Sequence, residues 1–142
     1  MAIKKGKKAP AIPGVDFKGK HTVLYFYPKD DTPGCTANAC NFRDNYSSLI
    51  KKGFTIIGVS PDSEKSHNKF KKKYDLPFEL VPDEGHSICE AYEVWGLKKF
   101  MGREYMGVLR TTFVIDDKGK IETVIDKVDT ANATAQLLES LK

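Results

Sequence analysis

Apolar positions along the chain fall into alternating strand-like and helix-like blocks. Thr22-Val-Leu-Tyr-Phe-Tyr27 is a continuous β-favouring run stopped by Pro28, the pattern of a central strand buried on both faces. From Cys35 to about Lys51 the spacing turns helical, with Cys35, Phe42, Tyr46 and Leu49 near one face and Ile50 beside them. Phe54-Thr-Ile-Ile-Gly-Val-Ser60 reads as a second buried strand. Pro61-Asp62-Ser63 then opens a helix whose His67, Phe70 and Tyr74 share a face. A short strand over Phe78–Val81, a turn over Pro82–Gly85 and a short helix over Ser87–Tyr92 follow. Thr111–Ile115 and Ile121–Ile125 flank Asp116-Asp-Lys-Gly119 as a hairpin. A helix from about Ala131 to Leu141, burying Leu137, Leu138 and Leu141, closes the chain.

The order β-α-β-α, then a β-hairpin and a last helix, predicts a thioredoxin-like α/β sandwich, with a central mixed β-sheet flanked by helices. The 142 residues suit a single domain, 1–142, with a core of its own. No repeat, low-complexity tract or linker divides them. Hydrophobic content of 40% and charged content of 30% are ordinary for a globular chain. No apolar run reaches the length that spans a bilayer, so no membrane association is expected. The N-terminal Met1-Ala-Ile-Lys-Lys-Gly-Lys-Lys8 is basic without a following apolar stretch, unlike a secretory leader, and a cytoplasmic setting is expected.

The net charge of +4 raises nucleic-acid binding as a possibility. The lysines are dispersed, however. The cluster Lys71-Lys72-Lys73 falls at a helix end, where cations complement the dipole, and Lys98-Lys99 stands alone. Neither accompanies a groove-reading motif, so no nucleic-acid partner is expected. Cys35, Cys40 and Cys89 are too few for a disulfide-built scaffold, and their odd number leaves catalytic, metal-binding or packing roles open.

Chemistry concentrates in Pro28-Lys-Asp-Asp-Thr32-Pro33-Gly34-Cys35, between a buried strand and a helix. Proline suits the first turn of a helix and glycine permits an unusual loop backbone, so Cys35 falls in that first turn. Unpaired N–H groups and the positive end of the dipole there stabilise a thiolate, the nucleophilic form of cysteine. Thr32, three residues earlier, places its hydroxyl at the same loop mouth. The bland alternative is a small residue near a helix cap.

The pattern Pro-x-x-x-Thr-x-x-Cys resembles the peroxiredoxin active-site signature. The longer run Phe26-Tyr-Pro-Lys-Asp-Asp-Thr-Pro-Gly-Cys-Thr36, with Cys40 five positions after Cys35, is similar to the peroxiredoxin Q or bacterioferritin comigratory protein subfamily. Phe42-Arg43-Asp44, Gly58-Val-Ser-Pro-Asp62 and Arg110-Thr-Thr-Phe-Val-Ile-Asp116 extend the resemblance over nearly the whole chain. It implies a peroxidase without metal or organic cofactor, acting on hydrogen peroxide and alkyl hydroperoxides, reduced by thioredoxin or a similar dithiol, and monomeric. It further implies that Cys35 is the peroxidatic cysteine, that the Thr32 hydroxyl contacts peroxide, that Pro28 shields the pocket and that Arg110 reaches the site from a separate strand. A guanidinium there favours the thiolate and polarises a peroxide oxygen; on the residues alone, a surface ion pair is an equal reading of Arg110.

By the same resemblance Cys40 is the resolving cysteine, which condenses with the Cys35 sulfenic acid. Five residues of regular helix give a Cα separation of about 8.6 Å, beyond the roughly 7 Å a disulfide tolerates, so closure requires the helix to unwind. Cys40 could otherwise be a small core residue, and Cys89 reads as a packed, half-buried thiol. A metal site from Cys35, Cys40, Cys89 and His86 lacks the close ligand pairs such sites use. His21, His67 and His86 suggest solvated or core-edge roles, and Trp95 and Phe100 a hydrophobic cover near the site. A thioredoxin-type oxidoreductase would need C-x-x-C rather than this spacing; a non-catalytic module on the same fold would not need Thr32, Cys35 and Arg110 together. Two features depart from the subfamily: many relatives carry a glutamate between the two cysteines, a stretch that holds Asn38 here, and Ala9–Gly14 leads to Phe17–Lys20 without the usual strand-turn segment.

Overall fold

The structure, a computed structural model, describes residues 3–142 and all of their side chains except that of Phe100. Met1 and Ala2 of the basic N-terminus, and the covering role expected of Phe100, lie outside what is described. Strands β1 (His21–Phe26), β2 (Phe54–Ser60), β3 (Glu79–Pro82), β6 (Thr111–Ile115) and β7 (Ile121–Ile125) form one sheet in the order β3-β2-β1-β6-β7. β1, β2 and β3 run parallel, whereas β6 is antiparallel to β1 and β7 to β6. The sheet is therefore mixed, and with its flanking helices it has the thioredoxin-like fold.

Alternation along the strands divides the interior into two cores. Val23, Tyr25 and Tyr27 point to the face covered by α1 (Pro33–Asp44), α2 (Tyr46–Lys51), α3 (Glu64–Tyr74) and α5 (Ala133–Ser140), where Cys35, Phe42, Leu49, Phe70 and Leu137 join them. Leu24 and Phe26 point to the other face, with Phe113, Ile115, the N-terminal Ala9, Ile12 and Phe17, and Cys89 of α4 (Ser87–Ala91). The short N-terminal passage is itself docked. Ala9 N–H donates to the Gly119 carbonyl and Ile121 N–H to that of Lys7, both at 2.8 Å.

Three expectations require correction. The helix expected from Cys35 to Lys51 is two helices, because Asn45 leaves helical geometry (φ −109°, ψ 10°) while its side-chain amide donates to the Asn41 carbonyl. That break turns Ile50 outward, 45% exposed, while Leu49 is buried. Leu138 and Leu141, expected in the core, are only partly buried against it. Most consequential, a two-stranded ribbon of β4 (Trp95–Phe100) and β5 (Arg103–Val108) occupies a stretch for which no element was predicted. Its two-residue turn, Met101-Gly102, has both residues at positive φ (52° and 78°). A methionine at the first of these positions is an uncommon hairpin signal.

Candidate active site

β1 delivers the chain through Tyr27 into the loop 28–32, and Pro33 starts α1 at its first position. Cys35 is the third residue of that helix and 1% exposed. Thr36 N–H donates to the Thr32 carbonyl at 2.7 Å, the first bond of the ladder. The N–H groups of Gly34 and Cys35 precede that bond and make no backbone hydrogen bond among the described residues, so the helix start that carries the sulfur keeps unpaired donors.

Arg110 enters from the connection between β5 and β6, just before the first residue of β6, and not from within a strand. Its Nη2 donates to Cys35 Sγ at 3.2 Å across 75 residues of sequence. Gly34 makes room for it, since a Cβ there would stand 3.3 Å from Nη2. Nη1 is buried and has no partner among the described groups. The surface ion-pair reading of Arg110 is thereby excluded. Thr32 sits at the loop mouth, half-buried, with its hydroxyl donating to the Lys29 carbonyl at 2.9 Å, which leaves its oxygen lone pairs free. Pro28 is half-buried directly after β1.

Cys40 lies on α1 with Cys35; both are free thiols, and Cys40 is the more exposed. Between them Asn38 is fully buried, with neither amide atom hydrogen-bonded among the described residues. Cys89 is fully buried rather than half-buried, in the core on the opposite face of the sheet from Cys35. Burial, with Asp83 beside it, pushes its thiol far above the ordinary range. Cys35, Cys40, Cys89 and His86 therefore do not converge on one point. Trp95 also belongs to that opposite face, stacked on His86 with ring centroids 3.9 Å apart, and does not cover Cys35.

Other groups at the site were not legible in the sequence. Lys98, taken as part of an isolated surface pair, is carried by the β4–β5 ribbon to within electrostatic range of Arg110 and Cys35. Burial and the positive charge of Arg110 lower its pKa, while Cys35 acts in the opposite sense. Its Nζ donates to the Val108 carbonyl at 3.0 Å. The Tyr25 hydroxyl is buried without a partner among the described residues, and burial, then the charge of Cys35, keeps its pKa well above the usual phenol value. His67, expected at a core edge or in solvent, is 1% exposed and bonded to Asp30 of the cysteine loop. Its place on the apolar face with Phe70 was the available sign of that burial. Burial opposes the Asp30 carboxylate, but hydrogen bonds from His67, Tyr27 and Ser66 outweigh it and hold the carboxyl below its ordinary value.

A cysteine in the first turn of a helix, capped by a guanidinium on a thioredoxin-like sheet, defines a thiol-based redox enzyme as the class. The profile of the AhpC/TSA family matches residues 7–124. Peroxiredoxin Bcp of Bacillus subtilis is 47% identical over 152 aligned positions, covering 100% of this chain and 97% of its own. Peroxiredoxin Bcp of Escherichia coli K12 is 46% identical over 127 positions, covering 89% of this chain and 81% of its own. A solved structure of the Xanthomonas campestris bacterioferritin comigratory protein, described with an alkyl peroxide reduction activity, superposes with a TM-score of 0.82 at 36% identity, covering 88% of this chain and 80% of that one. The chain belongs to the AhpC/TSA family, as a peroxiredoxin of the Bcp and peroxiredoxin Q type. It is a thiol peroxidase. The B. subtilis alignment, longer than the 142 residues of this chain, agrees with a segment missing relative to that relative.

No helix of the described residues is long and apolar enough to cross a membrane.

Proposed function

We propose that this chain, as a single domain over residues 1–142, reduces hydrogen peroxide and organic hydroperoxides at Cys35. The Cys35 thiolate attacks one peroxide oxygen; the O–O bond breaks, and the departing oxygen takes a proton and leaves as water or an alcohol. Arg110 faces the sulfur with its charge and offers Nη1 to the departing oxygen, while the Thr32 oxygen accepts from the peroxide OH and Pro28 limits access of water. The Cys40 thiolate then attacks the Cys35 sulfenic sulfur, hydroxide leaves and is protonated to water, and an intramolecular disulfide results. A thioredoxin-like dithiol reduces that disulfide by exchange and is oxidised in turn. No step uses a metal or an organic cofactor, and the enzyme works as a monomer in the cytoplasm, without nucleic-acid or membrane partners.

The observation that carries this reading is the 3.2 Å contact from Arg110 Nη2 to Cys35 Sγ at the start of α1. Its test is stopped-flow consumption of hydrogen peroxide by the reduced protein and by Cys35→Ser. The serine hydroxyl stays protonated at neutral pH, so the variant is expected to lose turnover while keeping its fold. Substantial turnover by a folded Cys35→Ser would remove Cys35 as the nucleophile.

A further inference from the structure

The loop that presents Cys35 is fastened to α3 by a buried polar network that the steps above do not use. Asp30 and His67 are 7% and 1% exposed, and His67 Nδ1 lies 2.8 Å from Asp30 Oδ2. Tyr27 Oη donates to Asp30 Oδ1 at 2.6 Å and Ser66 Oγ to Asp30 Oδ2 at 2.8 Å. On its other side the ring turns Nε2 to the Val81 carbonyl of β3 at 3.2 Å. A carboxylate and a carbonyl are both acceptors, and the Tyr27 proton is already committed to Asp30. Both ring nitrogens therefore face acceptors, and the bond from Nδ1 helps satisfy a carboxylate that would be costly to bury alone.

The same loop is tied down twice more. Asp30 N–H donates to Asp62 Oδ2 at 2.8 Å, and that oxygen also accepts from Ser60 Oγ at 2.6 Å. Asp31, held at a positive φ of 56°, has its carboxylate gripped by Lys73 Nζ at 2.6 Å and Tyr74 Oη at 2.8 Å. Asp30, Asp62 and His67 lie close enough together to resemble a cation site. Asp62 Oδ2 and both Asp30 oxygens already accept hydrogen bonds from neighbouring groups, which is enough to account for the cluster as a fastener.

We propose that Asp30 and His67 are positioning residues, a buried hydrogen-bonded pair that fixes the loop presenting Cys35 to peroxide. Peroxide attack needs the sulfur, the Arg110 guanidinium and the loop in one geometry, and a displacement of about 1 Å can cost up to a hundredfold in rate. Alkylation of a thiolate needs only the sulfur and access to it. Loosening the loop therefore separates the two reactions, slowing the first without slowing the second. This proposal rests on the reading of Cys35 as the peroxide nucleophile.

The test compares reduced full-length protein with Asp30→Asn and His67→Gln, each checked for folding by circular dichroism. Hydrogen peroxide consumption in the first turnover is expected to slow about tenfold or more, while iodoacetamide alkylation of Cys35 proceeds at the unaltered rate or faster. Folded variants that consume peroxide within about twofold of the unaltered rate, or that slow equally in both reactions, overturn the proposal. Should neither variant fold, nitrogen NMR of the His67 ring in the unaltered protein decides. A proton on Nδ1, held toward Asp30, is expected, and a bare Nδ1 overturns the pairing. Turnover by Cys35→Ser would defeat the nucleophile reading; a dead Cys35→Ser beside fully reactive Asp30 and His67 variants would defeat the positioning proposal alone.

Discussion

Disulfide formation between Cys35 and Cys40 must melt the start of α1, and the structure sets the limits of that melting. Both cysteines lie on one continuous helix, Pro33–Asp44, where five residues separate their Cα atoms by about 8.6 Å, against the roughly 7 Å limit for a disulfide. Upstream, the loop is held at Asp30 and Asp31 by α3 and Asp62. Downstream, the Asn41 side chain is pinned to the α5 end of the chain: its Nδ2 donates to the Ala131 carbonyl at 2.9 Å, and its Oδ1 accepts from Thr134 N–H at 2.8 Å. The segment free to move is therefore residues 34–40. Opening it breaks the helical bonds donated by residues 36–44, about nine, each with a net value of about 0.5–1.5 kcal/mol, or about 5–13 kcal/mol in all. Asn38 moderates the cost, since its buried amide gains water when the segment opens. Condensation of a sulfenic acid with a thiol can drive such a change. Hydrogen exchange by mass spectrometry on reduced and oxidised protein is the assay. Protection should fall across the amides of 36–44, whose donors or acceptors lie in that segment, and persist from Asn45 onward, with a small loss of helical circular dichroism. Cys40→Ser should suppress both changes after one equivalent of peroxide and leave a sulfenic acid trappable by dimedone. Equal protection of 36–44 in both states, or a bridge from Cys35 to Cys89 or between chains, would refute the reasoning.

Arg110→Met should slow sulfenate formation by about 10²–10³-fold, because it removes the guanidinium donor held on the sulfur; rapid-mixing kinetics with peroxide checks this, and a wild-type rate would make Arg110 purely structural. Asn38→Leu should stabilise the reduced fold by about 1 kcal/mol, since it replaces two unpaired buried polar atoms with an apolar group of similar shape. A urea titration reads it, and a loss of stability would show that the amide has a partner. The Asp30 carboxyl is held below its ordinary value in the folded protein. Its stabilising share is therefore complete above the unfolded value near pH 4 and is lost as pH falls through the lower folded value. Asp30→Asn should reduce the acid dependence of stability below about pH 4, and denaturant midpoints at two pH values would expose an unchanged slope.

Much of this protein is decided locally, and that part was legible. The apolar run Thr22–Tyr27 must be buried whatever its neighbours, and Pro33 with Gly34 starts a helix that carries Cys35 in its first turn. Ser63 caps α3 by accepting from Ser66 N–H, and Lys71, Lys72 and Lys73 fill its last turn, as the residue types alone required. The resemblance over the motif residues named Arg110, but neither composition nor spacing distinguished it from a surface arginine. Only the pairing of β6 beside β1 brings residues 35 and 110 together. The β4–β5 ribbon escaped prediction because its pairing is cross-strand and its turn lacks the usual residues; Lys98 escaped with it. The join of His67 to Asp30 depends on α3 packing over the end of β1, a contact between residues 37 apart in sequence. Propensities and caps act over a few residues, so sequence alone determines where elements begin and which face is apolar. The partners of a buried charge are selected by packing among distant elements, and only the tertiary structure decides that.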